Sequence, residues 1–133
     1  MASIRREVTI DAPAATAWDA LADIGALHTR LVPGFVTDCR LEGEGEARIV
    51  TFANGMVVRE LMIDVNPQER RVAWSAVGGR LTHHNASAQV VAQGERQCRI
   101  VWIADLLPHE MAPAIAAMIE QGLAAMKRAL GPR

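Results

Sequence analysis

His83-His84-Asn85 is the most polar cluster in a stretch that otherwise reads as strand, and chemistry would start there. Neighbouring strand residues point to opposite faces, so the two histidines cannot hold one metal ion from that strand. His28 and His109 lie on other elements with no spacing that predicts convergence, and no metal site is expected. A single inward histidine is a different matter. With an ordinary pKa of about 6.5 it can donate to a carbonyl or act as a general base. A carboxylate stands earlier, in Arg59-Glu60. Glu60 shares a phase with Val58 and Met62, and Arg59 shares the other with Val57, Leu61 and Ile63. That pattern leaves open which of the two turns inward. An inward Glu60 would have its pKa raised unless paired, and Arg48 on the neighbouring strand is a candidate partner. Were both inward, Glu60 and His84 would form an acid/base pair suited to an aldol-type cyclisation or a dehydration. The plainer alternatives are a surface ion pair for Glu60, and for His84 a hydrogen bond within its own sheet.

Two periodicities dictate the elements that must position these residues. From His109 to Leu130 one apolar stripe recurs at helical spacing: Met111, Ile115, Met118, Ile119, Gly122, Leu123, Met126 and Leu130. Ile4 to Ile10 alternates as a first strand. Asp11-Ala12-Pro13 opens a short helix with Ala14, Trp18, Leu21 and Ala22 at helical period, broken by Gly25, and a second short helix spans Ala26 to Val32 before Pro33-Gly34. Six strands follow: Phe35–Glu42, Ala47–Ala53, Met56–Val65, Arg71–Val77, Leu81–Ala92 and Gln97–Leu107. Short Gly- and Asn-containing links, Asn54-Gly55 the clearest, make them a meander. In the last hairpin, pairing Ala88 with Trp102 sets small residues opposite a large ring and turns His84 inward. It needs a turn of five residues or a bulge near Gly94, and a tighter turn would point His83 inward instead.

The helix face and the sheet suggest a hollow between them. Methionines adapt to irregular guests, and Gly122 signals either close helix–sheet contact or room for a ligand. Trp74 and Trp102 would floor the hollow or simply pack the core.

The totals narrow the class. A chain of 133 residues with half of them apolar makes one domain, 1–133, and a net charge of −1 with no basic cluster gives no case for nucleic acid. No apolar run approaches the length of a membrane span, and the start lacks a signal peptide's apolar core. Cys39 and Cys98 are isolated, as reduced thiols of a cytoplasmic protein would be. Tyrosine is absent, so any polar hook must be another residue type. No cofactor is implied, and a homodimer stays open.

The order of elements resembles the START-like (SRPBCC) superfamily with its polyketide cyclase/dehydrase-like proteins. The carriers are Val8-Thr9-Ile10-Asp11-Ala12-Pro13 running into Ala17-Trp18-Asp19-Ala20-Leu21, then Val32-Pro33-Gly34-Phe35, and Val101-Trp102. Val77-Gly78-Gly79-Arg80-Leu81-Thr82 is similar to the latch loop of plant hormone receptors in that superfamily, and Phe52-Ala53-Asn54-Gly55 takes the place of their gate loop. The resemblance implies that Glu60, His84 and Ala86 line a cup, with Met111, Ile115 and Ile119 on the helix. His84 stands where the receptors have a tyrosine. Their ligand-anchoring lysine would fall near Pro33, so a hormone-like acid is not implied.

The expected fold is α+β: a curved seven-stranded antiparallel sheet in β-α-α-β6-α order, gripping a long C-terminal helix. The expected function is binding of a small hydrophobic molecule, lipid-like or polyketide-like, lined by Phe35, Glu60, Trp74, His84, Ala86, Trp102, Met111, Ile115, Met118, Ile119, Gly122 and Met126. Met56 and Gly78 to Leu81 would border its mouth. One alternative is a cyclase or dehydratase using His84 and Glu60. Another is an interaction module, for which Val101 and Ile103 on the outer face are the hint.

Overall fold

In the computed structural model, which describes residues 1–131, the chain runs β1 (Ala2–Ile10), α1 (Ala14–Ala22), a π-helical turn (Leu27–Leu31), β2 (Val36–Glu42), β3 (Ala47–Phe52), β4 (Val57–Asn66), β5 (Arg71–Val77), β6 (His83–Gln93), β7 (Gln97–Leu107), a 3-10 turn (His109–Met111) and α2 (Ala112–Leu130). The seven strands form one antiparallel sheet in the order β1-β7-β6-β5-β4-β3-β2. The six later strands are a meander, and β1 closes the sheet beside β7. This is the α+β helix-grip fold.

Strand ends differ from expectation by a residue or two. Phe35, Ala53, Met56 and Leu81 fall in links, where Gly34, Gly55 and Gly79 take positive φ. The 93–97 turn keeps the preferred register. Gln93 pairs with Gln97 around Gly94–Arg96, and Ala88 faces Trp102. Ala86, Ala88, Val90, Ile100, Ala104 and Leu106 are consequently buried together on the concave face.

Helix α2 carries a proline in its first turn, where no intrahelical donor is lost, and Lys127 and Arg128 in its last, where cations suit the dipole. Its buried face holds Ile119, Gly122, Leu123, Ala125 and Met126, with Ala112, Ile115, Ala116 and Leu130 packed beside them. Met118 is a correction to the expected stripe. It is half-buried and lies outside the core cluster. The main sheet contacts of α2 are with β1, where Arg6 reaches Glu120 at 3.2 Å, and it also meets β7 and the π-helical turn.

Candidate functional site

Register assembles the site one cross-strand row at a time. Arg48 on β3 faces Glu60 on β4, and Glu60 faces Ala76 on β5. Trp74 pairs with Ala86, which would set Ala76 opposite His84 had the ladder continued; His84 itself faces Leu106 on β7. The next row inward is Met62, Trp74, Ala86 and Ala104. A polar row therefore borders an apolar one on the concave face.

Glu60 points inward, with Arg59 outward and bonded to Glu42 at 2.8 Å. Arg48 Nε donates to Glu60 Oε1 at 2.8 Å, and the two residues are only 3% and 8% exposed. Arg48 Nη1 also donates to the Ile24 carbonyl at 3.2 Å, while its guanidinium sits 5.5 Å from the Trp74 ring centroid. One cation thus ties β3, β4, β5 and the segment after α1 together.

His84 is held differently. Ladder pairing of β5 with β6 stops at Trp74–Ala86, and the last residues of β5 splay from β6. Side chains bridge the gap: Ala76 N–H donates to His84 Nδ1 at 3.0 Å, and Ser75 Oγ donates to the His84 carbonyl. An imidazole that accepts at Nδ1 is neutral and carries its proton on Nε2. Burial, with the neighbouring His83 charge second, holds its pKa below the usual histidine value. Glu60 and His84 stand two strand spacings apart, about 10 Å between backbones. Each is hydrogen-bonded to another group, and no hydrogen bond joins the two.

The apolar wall is aromatic. Trp74 and Trp102 meet edge to face at 5.7 Å, as do Phe35 and Phe52 at 5.3 Å. Gly122 resolves toward close contact: a Cβ there would stand 2.7 Å from Trp102 Cζ3. The centre of the expected hollow is therefore filled by Trp102 pressed against α2. What stays half-exposed on the concave side is Phe35, Phe52, Met62, Leu81, His84, Trp102, Met111 and Ile115. Trp74, Ala86, Ile119, Gly122 and Met126, expected as lining, are buried core beneath them. Two hollows open elsewhere. One of about 650 Å³ lies at the β6–β7 turn by Asp11 and Arg96, and one of about 340 Å³ lies on the outer face of the sheet. Neither lies between sheet and α2.

Sequence reasoning did not single out Ser75 and Ala76, whose only signal is small size on a strand. Phe52, Met62 and Leu81 as lining carry a better one, since Met62 shares the phase of Glu60. Cys39 and Cys98 are buried free thiols, their pKa values raised mainly by that burial. Among the described residues no three His, Cys, Asp or Glu gather as a metal ion would need, and no helix is long and apolar enough to cross a membrane.

Comparison with known proteins places this geometry. Residues 1–131 match the family model for polyketide cyclase / dehydrase and lipid transport, and the chain belongs to that family, within the START-like superfamily. No curated protein matches. Among solved structures, an uncharacterized protein from Bacillus thuringiensis is similar, with TM-score 0.87, 18% identity, and 97% and 98% of the two chains covered. A START superfamily protein from Mycobacterium smegmatis superposes with TM-score 0.74 at 15% identity, covering 96% of each chain. Norcoclaurine synthase from Thalictrum flavum, solved with dopamine and hydroxybenzaldehyde, superposes with TM-score 0.71 at 22% identity, covering 97% of this chain and 83% of that one.

Proposed function

We propose that the concave face binds a small, mostly apolar molecule bearing an oxygen acceptor, seated between the mouth side of the sheet and the first turns of α2. The observation that carries this reading is the Ala76–His84 bond. It commits the neutral ring to presenting Nε2–H, a hydrogen-bond donor, on the concave side, where Phe35, Met62, Trp102, Met111 and Ile115 are half-exposed apolar side chains. A site with few polar groups in apolar surroundings selects ligands by one or two oriented bonds. A carbonyl or phenol oxygen on a polyketide-like or lipid-like skeleton meets that requirement. The family's description includes lipid transport, and norcoclaurine synthase was solved with two small oxygenated aromatics, which agrees with the size and class.

Binding rather than turnover is favoured by the same bond. A general base needs a free lone pair, and the outward nitrogen of His84 bears the proton instead. Glu60 is bonded to Arg48. The test is affinity for an apolar ketone against the hydrocarbon of the same skeleton, in wild type and His84→Phe. The reading expects the ketone to bind several-fold more tightly to wild type, and that preference to vanish in the variant. Equal affinities in wild type, or catalysed conversion that His84→Phe abolishes, would overturn it.

A further inference from the structure

The ligand reading leaves the outer face of the sheet unused, and that face is shaped to meet itself. Its hollow of about 340 Å³ is floored by Ala73 and Ser87, cross-strand partners that are buried although they point outward. Ile63 and Ile103 stand on either side of this floor. Small residues between large ones make a trench. Beside it Ile63 is 54% exposed and Leu61, the next outward position on β4, is 38% exposed, large aliphatic side chains with no cover in this chain. A two-fold contact brings such a patch onto its own copy and covers those side chains.

Charge fixes how two copies would meet. Arg71 pairs with Gln89 across β5 and β6, and Asp105 pairs with Asn85 across β7 and β6. Ser87 lies midway between Gln89 and Asn85 on the strand between, so it marks the centre of the line from Arg71 to Asp105. Among the described residues neither Arg71 nor Asp105 has a salt-bridge partner. When two sheets stack face to face on a two-fold axis lying between them, each residue sits over its own mirror position about that axis. An axis over Ser87, perpendicular to the Arg71–Asp105 line, sets Arg71 of each copy opposite Asp105 of the other. One operation satisfies both charges twice. We propose that a second copy of this chain docks on the outer face, with the two trench floors facing each other across the axis and two reciprocal Arg71–Asp105 pairs at the rim. The concave face stays free in that dimer.

Sedimentation velocity over rising protein concentration at low salt reads the contact directly. Wild type is expected to move from one chain mass toward two. Arg71→Asp and Asp105→Arg, each a surface charge reversal, are expected to stay monomeric because like charges then face each other at both rims. An equimolar mixture of the two variants is expected to regain the dimer, since each then meets charges opposite to its own. Ile63→Lys, at an exposed position beside the trench, supplies a second lesion, and far-UV circular dichroism confirms that each variant is folded. A wild type that stays monomeric throughout would overturn the proposal. So would dimers that survive both reversals, or folded variants whose mixture fails to associate. Capture of a different protein by this face with no self-association would also overturn it.

Discussion

His84 accepts the backbone N–H of Ala76 through Nδ1, at 3.0 Å, where the β5–β6 ladder has already ended. A side chain thus completes a strand pair and, by doing so, fixes which ring nitrogen faces the concave side. Structure and the proposed recognition share one bond.

His84→Ala removes that bridge and leaves the Ala76 N–H without its acceptor. The expected cost is about 1 kcal/mol, the net worth of one hydrogen bond at a half-buried site, read by urea denaturation. Amide exchange at Ala76 should quicken by more than that at Trp74, which keeps its strand partners. Unchanged exchange at Ala76 would contradict the bridge.

The same ring makes stability depend on pH. Burial, then the charge of His83, lowers its folded pKa below the ordinary 6.5. The unfolded chain therefore takes up a proton more readily, and stability rises with pH across the gap. His84's contribution is complete above 6.5, falls as pH drops through that value, and is lost once pH passes the lowered folded value. Melting temperature measured over that range should fall more steeply for wild type than for His84→Gln. Parallel curves would show that His84 does not set the dependence.

Gly122 and Trp102 are coupled by lack of space. A Cβ at 122 would stand 2.7 Å from Trp102 Cζ3, and that ring is backed by Trp74. Gly122→Ala should lose roughly 1–3 kcal/mol to overpacking, partly offset by about 1 kcal/mol of helix propensity. In a Trp102→Phe background the overpacking should shrink, which a double-mutant cycle by chemical denaturation would detect. A gain of the full propensity difference in the single variant would mean that the contact is loose.

Arg48 and Glu60 should behave as one unit. Glu60→Leu strands a buried guanidinium and Arg48→Met strands a buried carboxylate, each expected to cost about 3–5 kcal/mol. The double replacement leaves no charge stranded and should cost far less than the two losses added. Additive losses in denaturation would show that the pair is not a coupled buried bridge.

Most of the fold was legible because alternation and turn residues act locally. Arg71–Val77 and Gln97–Leu107 carry their ends in sequence, bounded by Pro67, Gly78, Gly94 and Pro108. The register of the last hairpin could be argued because Trp102 needs a small residue opposite, and Ala88 supplies it. Three things were less legible. The stripe drawn through larger residues carried no sign that Ala112, Ala116 and Ala125 pack with the core while Met118 is only half-buried. The clasp on His84 depends on β5 and β6 parting after Trp74 and Ala86, and alternation carries no sign of where pairing stops. Whether Gly122 made room or closed it was also undecidable from a missing side chain. The answer needed the position of the Trp102 ring across the interface.

Nuclear magnetic resonance titration with an apolar ketone tests the central claim most directly, because it reports where a guest sits and which His84 nitrogen bears the proton. The account predicts saturable shifts at Met62, Trp102, Met111 and Ile115, with the His84 ring keeping its proton on Nε2 and that proton moving downfield. Shifts confined to Ile63, Ser87 and Ile103 outside, or to Asp11 and Arg96 at the far turn, would contradict it.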